Sequence, residues 1–230
     1  MRIKLIIKYN GTHYYGWQRL GDKPTIQGEI ENALYRIHRR RTQIYGASRT
    51  DAGVHADGQV AHFIPLESTF DINYVQALNQ HLPNDIRILS SEGVADNFHA
   101  RESSQSKLYE YYLAVGRSLP YYCAHWTRSQ KLDVELMNKA CQFILGEHDF
   151  KSFQSSGSRT KTSVRKILEA SWRTEGDKYI FHIHGTAFLK YMIRNLVGTL
   201  SLVGSGKISV SDFVKILNKK NRSSAGSTAP

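Results

Sequence analysis

Strand-like and helix-like segments alternate along this chain, and their alternation most limits the folds that it can adopt. Strand patterns rich in Ile, Leu and Tyr lie at 2–9, 86–94 and 108–115. Between them, apolar residues at helical spacing predict a helix that begins at Thr25, a suitable N-cap after a proline. The segment 165–185, with Glu-Gly-Asp at its middle, predicts a hairpin and therefore antiparallel pairing. These patterns predict an α+β fold.

The remaining secondary structure is predicted from the same signals: a strand over 59–65 and helices over 71–82, 133–146, 187–202 and 209–218. The tail that follows, NKKNRSSAGSTAP, has no apolar periodicity, so we expect it to be mobile.

A linker is predicted near the middle of the chain, over 116–125, where Pro120 interrupts any regular structure. It gives an N-terminal half over 1–117 and a C-terminal half over 118–230. Each half contains strands and one or two helices, although no clear sequence repeat relates them.

The charge balance favours a polyanionic partner. The 31 Lys and Arg residues outnumber the 20 Asp and Glu residues, which gives a formal net charge of +11. Lys and Arg that contact phosphates release condensed counterions, so such a balance is typical of nucleic-acid binding. Basic residues cluster over 38–41, 161–166 and 219–222. Each cluster is a candidate phosphate contact, although a solvated helix end gives the same pattern.

Several classes of protein are excluded by the composition. No apolar run approaches about 18 residues, so no transmembrane helix is predicted, and the first residues read as a strand rather than a signal peptide. The two cysteines, Cys123 and Cys141, form no disulfide framework and fit a reducing cytoplasm. No glycine pattern for a nucleotide cofactor is present. We also expect no metal, because His182 and His184 share a strand face but zinc needs three or four ligands.

Three further groups of residues have both a functional and a structural interpretation. His148 and Asp149 resemble a catalytic dyad, but the neighbouring phenylalanines favour a structural role in which they fill the core. His55 and His62 flank the start of a strand and are either RNA contacts or satisfied polar groups. The aromatic residues after the first strand either stack on bases or form a core: Tyr14, Tyr15 and Trp17.

The stretch YGASRTDAGVHADGQVAHF, at 45–63, places Arg49, Thr50, Asp51 and Gly53 in one short loop. Such a loop can present a carboxylate at the mouth of a cleft, and a nearby guanidinium would keep it ionised. An ionised, desolvated carboxylate is a competent nucleophile at carbon. By itself, Arg-Thr-Asp is more typical of a surface turn.

The wider context of this loop resembles the signature of the TruA family of tRNA pseudouridine synthases. The family pattern runs roughly Ala-Gly-Arg-Thr-Asp-Ala-Gly-Val-His, followed by Gly-Gln-Val and an aromatic residue. The similarity continues in the same order in KYNGTHYYGWQ, LPNDIRI, FHARESSQSKLYEYYL, LGEHDFKSF and FLKYMIRNLVGTL. The chain departs from the family at Asn10 and Ser48, where aspartate and glycine are common. The family's last strand, a Gly-Leu-aromatic-Leu segment after the tail, is expected to be absent.

The resemblance implies a fold of two similar α+β halves that share a mixed, largely antiparallel sheet with a central cleft. It implies that uridine is isomerised to pseudouridine in the anticodon stem–loop of tRNA, at positions 38, 39 and 40, without a cofactor. It also implies a cytoplasmic homodimer that binds tRNA across both subunits, with neither DNA nor a membrane as a partner.

The resemblance also implies three catalytic residues. Asp51 is the nucleophile by its place in the motif. Tyr109, in KLYEY, resembles the active-site tyrosine that stacks on the uracil or helps to remove the C5 proton. Arg194, in MIRN, resembles the arginine that keeps the aspartate ionised.

Substrate binding is implied for Arg49, Tyr109, Arg101 and His55, of which Arg49 resembles a loop arginine that contacts or displaces RNA. Two other functions stay open: a synthase that modifies other uridines or another RNA, and a noncatalytic RNA-binding or RNA-folding protein on the same scaffold. The set of Asp51, Tyr109 and Arg194 favours the enzyme, because a protein that only binds RNA has no need of a buried nucleophile.

Overall fold

The computed structural model of the protein describes residues 1–66, 69, 71–115, 126–128, 131–158 and 160–230. The chain divides into two compact units, Met1–Ser104 and Gln105–Pro230. The linker predicted over 116–125, and with it the boundary between 117 and 118, lies outside the described residues and stays a prediction. Within the described residues, no helix is both long and apolar enough to cross a membrane.

In the N-terminal unit, the described residues form four strands and two helices, in the order β1 (Arg2–Tyr9), α1 (Ile26–His38), β2 (Ile44–Gly46), β3 (Ala56–Phe63), α2 (Tyr74–Asn79) and β4 (Ile86–Val94). The strands form an antiparallel sheet in the order β2-β3-β1-β4. Alternate residues of β1, Ile3, Leu5 and Ile7, are buried in one core with the apolar face of α1. Helix α1 begins after Thr25, whose side chain accepts a hydrogen bond from the Gly28 amide, as predicted.

Outside 116–125, 129–130 and 159, the C-terminal unit has five strands and three helices, in the order β5 (Lys107–Val115), β6 (Trp126–Arg128), α3 (Val134–Cys141), β7 (Gly146–Asp149), β8 (Val164–Glu175), β9 (Lys178–Gly185), α4 (Met192–Gly204) and α5 (Val210–Lys219). The sheet order is β6-β5-β9-β8-β7, and β5 and β6 pair in parallel. The predicted hairpin is present, because β8 and β9 are antiparallel and Gly176 turns between them at φ 59°. The helices pack on the sheet through a core that includes Leu196 and Phe213.

The α+β class is confirmed, but the described strands form two sheets rather than one shared sheet. Each sheet is built within one unit: β1 pairs on both edges with strands of the N-terminal unit, and β9 pairs on both edges with strands of the C-terminal unit.

Three helix predictions need correction. The helix predicted over 71–82 is confined to Tyr74–Asn79. The helix that begins after Asp133 ends at Cys141 and continues only as a 3₁₀ turn, while Gly146 starts β7 at φ 87°. The helix predicted over 187–202 begins at Met192, because Tyr191 before it adopts a left-handed conformation with φ 61°.

The prediction of a mobile tail was wrong. Residues Arg222–Ser224 form a 3₁₀ turn, and Ala229 is fully buried in the core of the C-terminal unit. Ala229 is buried because the tail packs against α4. The sequence of the tail has no apolar periodicity from which this packing could be predicted.

Candidate active site

The Arg-Thr-Asp loop lies between β2 and β3 and is hydrogen-bonded to the segment that follows β1. The Trp17 amide donates to the Thr50 main-chain oxygen at 3.1 Å, and the Gly53 amide donates to the Tyr14 oxygen at 3.2 Å. The hydroxyls of Tyr9 and Thr50 are 2.9 Å apart. Two main-chain hydrogen bonds to the segment after β1 and one side-chain bond to the end of β1 therefore hold the loop on both sides of Asp51.

Two glycines allow this close approach. A Cβ at Gly11 would lie 2.0 Å from the main-chain oxygen of Val54, and one at Gly16 would lie 2.6 Å from that of Thr50. Gly16 also has φ 89°, which disfavours any other residue. The two glycines of KYNGTHYYGWQ, a segment that is similar to the family, are thus required for the loop to pack against it.

Ser48 stands where the family commonly has glycine, but its backbone is not left-handed. Among the described residues, the non-glycine residues with positive φ are Arg39, Tyr191 and Lys220. Its main-chain oxygen accepts a hydrogen bond from the Gln59 side chain at 2.9 Å. A serine therefore fits this position without backbone strain.

Asp51 is half-buried, and its main-chain oxygen accepts a hydrogen bond from the Val54 amide at 3.2 Å. Gly53, at φ 79°, completes the turn. Arg49, two residues earlier, is exposed. The loop thus holds one partly desolvated carboxylate beside a solvent-accessible guanidinium-bearing residue.

His55 closes the loop by a structural contact. Its Nδ1 accepts a hydrogen bond from the Gly11 amide at 3.1 Å. The remaining ring nitrogen, Nε2, then carries the proton when the ring is neutral. His55 is exposed, so the proposed contact with substrate would be made by the same ring that holds the loop.

Arg101 is placed by the segment before it. The Arg2 guanidinium donates to the Phe98 main-chain oxygen at 2.7 Å, and the Ala100 amide donates to His62 Nδ1 at 3.2 Å. Arg101 itself is exposed. His62 is buried, so it is a satisfied polar group of the N-terminal unit rather than a surface contact; burial, then the nearby His99 and Arg2, lower its pKa to about 4.

Tyr109 lies on β5 in the C-terminal unit. Its half-buried ring packs edge-on against Phe188, with centroids 5.4 Å apart. Tyr111 follows on the same face, and its hydroxyl donates to the Pro230 main-chain oxygen at 2.8 Å. Burial raises the Tyr111 pKa to about 12, an effect that the positive charge of Arg194 opposes.

Arg194 lies in the first turn of α4, and the tail fixes its side chain. Its Nε donates to the Ala229 main-chain oxygen at 2.7 Å, and the Ala229 amide donates to the Arg194 oxygen at 3.1 Å. The guanidinium carbon also lies 4.6 Å from the ring centroid of Tyr191. The Arg194 side chain is therefore oriented by two groups, the Ala229 oxygen and the Tyr191 ring, before any substrate binds.

The tail is held in turn by a polar network that the sequence analysis missed. Arg222 donates to Asn195 Oδ1 and to Thr228 Oγ1, each at 3.0 Å, and the Thr228 hydroxyl donates to Asn195 Oδ1 at 2.6 Å. Arg222 belongs to the basic cluster over 219–222, which the sequence left as either a phosphate contact or a solvated helix end. In the structure, the Arg222 guanidinium instead makes hydrogen bonds within the protein, and Lys220 pairs with Asp149 at 3.2 Å.

The structural interpretation of His148 and Asp149 is confirmed. The His148 Nε2 donates to the Leu145 oxygen at 2.7 Å, and the Ser163 hydroxyl donates to Asp149 at 2.5 Å. Phe150 and Phe153 are fully buried.

His182 and His184 share a strand face, and each approaches Glu169 at 3.4 Å. Across the part of the chain that the structure describes, no three His, Cys, Asp or Glu side chains are placed to hold a metal ion.

The candidate residues are divided between the two units. Asp51, Arg49, His55 and Arg101 belong to the N-terminal unit, whereas Tyr109 and Arg194 belong to the C-terminal unit.

Comparison with known proteins assigns the chain to a family. A family model described as tRNA pseudouridine synthase matches residues 5–101 and 140–230, which contain Asp51 and Arg194. A tRNA pseudouridine synthase A 1 from Desulfotalea psychrophila is 44% identical, covering 99% of this chain and 94% of that protein. Enzymes named tRNA pseudouridine synthase A from Acetivibrio thermocellus and A 2 from Clostridium perfringens are 43% and 40% identical, with the same coverage. The chain therefore belongs to the family of tRNA pseudouridine synthases.

Proposed function

We propose that this protein converts uridine to pseudouridine in the anticodon stem–loop of tRNA, at positions 38, 39 and 40, without a cofactor. The observation that carries the proposal is the half-buried Asp51 in a loop whose backbone is fixed on both sides, within a chain that belongs to this family. The net charge of +11 supports a polyanionic substrate. We also propose that the protein acts in the cytoplasm as a homodimer.

The reaction needs a nucleophile, a holder for the detached base and a route for one proton. The bond between N1 and C1′ breaks, the uracil turns, and C5 joins C1′; C5 then loses a proton while N1 gains one. The target base must first leave its stack, at a cost of a few kcal/mol. Asp51 is the proposed nucleophile. Whether it attacks C1′ or C6, the overall reaction breaks and forms the same bonds and moves the same protons.

Tyr109 and Arg194 have proposed roles on the base and on the carboxylate. The edge-on contact with Phe188 keeps the Tyr109 ring in one orientation, which suits a platform for uracil. Arg194 is the proposed cation that keeps Asp51 ionised, and its bond to Ala229 holds the guanidinium in place for that role. Arg49, Arg101 and His55 are proposed substrate contacts.

The alternatives differ in what they require of Asp51. A noncatalytic RNA-binding or RNA-folding protein would keep the basic surface and need no carboxylate nucleophile. A synthase with other target uridines would need the same carboxylate and give product at other positions.

The test is pseudouridine mapping on tRNA incubated with the purified wild-type protein and with Asp51→Asn. We expect product at positions 38, 39 and 40 with the wild type and none with Asp51→Asn, whose tRNA affinity should stay within about tenfold, or 1.4 kcal/mol. Asp57→Asn is a matched control, because Asp57 is an exposed carboxylate nearby that pairs with Lys8. Product formation by Asp51→Asn would show that Asp51 is not the nucleophile. Tight binding by the wild type without product at any uridine would favour the noncatalytic protein.

A further inference from the structure

Three aromatic residues follow β1, and the structure separates their roles. Trp17 is 2% exposed, and Tyr14 is 8% exposed with its hydroxyl bonded to Asp85 at 2.6 Å. Both therefore belong to the core. Tyr15 between them is 51% exposed, so of these three rings it alone presents a large surface to a ligand.

Tyr15 is mounted rigidly although its side chain is exposed. Its amide donates to the Pro24 oxygen at 2.9 Å. Lys23, beside that proline, places its Nζ 4.4 Å from the centre of the Tyr15 ring. Such a cation–π contact restrains the ring and brings a positive charge to its face.

The position of Tyr15 is set by the Arg-Thr-Asp loop. The residue before it, Tyr14, accepts a hydrogen bond from the Gly53 amide, and the residue after it, Gly16, has no room for a Cβ against Thr50. Tyr15 is therefore carried by a backbone that is attached at both sides to the residues flanking Asp51.

A nucleotide that reacts at Asp51 has neighbours in the RNA strand. When its base leaves the stack, an adjacent base loses a stacking partner. An exposed aromatic ring replaces that partner whatever the base, and a lysine beside it neutralises a phosphate.

We propose that Tyr15 and Lys23 form a nucleotide-binding site for the RNA strand beside the target uridine, with Tyr15 stacked on an adjacent base and Lys23 on a phosphate. This inference rests on the proposed function for its substrate, and it adds a substrate-binding pair that is separate from Asp51, Tyr109 and Arg194.

The test measures tRNA affinity and the rate of pseudouridine formation for Tyr15→Ala, Tyr15→Phe and Lys23→Gln. Tyr35→Ala is the matched control for the ring, because Tyr35 is also 51% exposed but lies on α1. Lys139→Gln is the matched control for the charge, because Lys139 is exposed on α3 and its loss changes the net charge equally.

We expect Tyr15→Ala to weaken tRNA binding roughly 5- to 150-fold, the range that corresponds to one base–aromatic stack of about 1–3 kcal/mol. Tyr15→Phe, which keeps the ring, should bind like the wild type. Lys23→Gln should lower the slope of log K against log salt by about 0.7, the value for one contact on a single strand.

Tyr15→Ala with the affinity of Tyr35→Ala, or Lys23→Gln with an unchanged salt slope, would overturn the site. A wild type that makes no pseudouridine would refute the proposed function instead, while the binding series would still decide whether Tyr15 contacts RNA.

Discussion

Arg194 and Ala229 are joined by two hydrogen bonds: the arginine Nε donates to the alanine oxygen at 2.7 Å, and the alanine amide donates to the arginine oxygen at 3.1 Å. The pair links the first turn of α4 to the tail. The orientation of a guanidinium with a proposed catalytic role therefore depends on residues 35 positions away in the sequence.

Gly198 provides a test of this dependence. A Cβ at Gly198 would lie 1.9 Å from the Ser227 main-chain oxygen, so the tail packs directly on the α4 backbone. Gly198→Ala should displace the tail, lower the free energy of unfolding by about 1–3 kcal/mol, and reduce pseudouridine formation more than tRNA binding. Thermal unfolding and single-turnover rates measure both effects.

Gly204→Ala is the control on the same helix, because its Cβ would crowd the side chains of Met137 and Leu132 in the core rather than the tail. It should retain most of the activity. Equal rates for Gly198→Ala and the wild type would show that the tail does not position Arg194.

Tyr109→Phe separates the ring of this residue from its hydroxyl. The edge-on packing with Phe188 should survive, and tRNA affinity with it. If the hydroxyl assists removal of the C5 proton, the single-turnover rate should fall roughly 100-fold or more. Tyr112→Phe is the control, because its hydroxyl bonds to Glu110 on the opposite face of β5 and should not affect the rate. A wild-type rate for Tyr109→Phe would limit Tyr109 to stacking.

Elements with local signals were predicted well from the sequence. Thr25, Asp133 and Ser209 each accept a hydrogen bond from the first turn of the helix they precede, and Ser209 completes a capping box with Asp212. These signals lie within four residues of the helix start and need no tertiary contact.

Features that depend on distant residues were missed. The start of α4 is set by the left-handed Tyr191, whose ring stacks with Arg194, and the tail is ordered by Asn195 and Arg222. The motif around Asp51 indicated the proposed nucleophile, but nothing local to it indicates that Trp17 holds the loop. Pairings of this kind arise from folding rather than from periodicity.

The basic residues 39–41 remain a candidate phosphate contact, since all three are exposed after the end of α1. Arg39 has φ 53°, so Asn is the appropriate neutral replacement there, with Gln at 40 and 41. The triple variant should weaken tRNA binding and lower the slope of log K against log salt by up to about three, near 0.9 per duplex phosphate contact.

A triple variant outside the basic clusters controls for the change in net charge. Lys131, Lys139 and Lys207 are exposed, and their replacement by Gln removes the same charge. Similar slopes for both triple variants would attribute the effect to net charge and place residues 39–41 away from the RNA.

His62 should make the stability of the protein depend on pH. Its ring stacks on Tyr45 with centroids 5.2 Å apart and accepts the Ala100 amide, and burial lowers its pKa from 6.5 to about 4. Between pH 6.5 and about pH 4, His62 therefore binds a proton in the unfolded chain but not in the folded protein. The contribution of His62 is therefore complete above pH 6.5 and is lost as the pH falls toward 4, by up to about 3 kcal/mol.

His62→Gln keeps an acceptor for the Ala100 amide and cannot titrate in this range. We expect it to be less stable than the wild type at pH 7.5, because the ring contacts are lost, but to show a shallower fall in the free energy of unfolding between pH 6.5 and 4. Urea unfolding at a series of pH values measures the difference, and His13→Gln, which changes an exposed ring, serves as the control. Other groups with lowered pKa values, such as Asp149, affect both proteins equally and cancel in the comparison. Parallel profiles for His62→Gln and the wild type would mean that burial of His62 does not oppose its protonation.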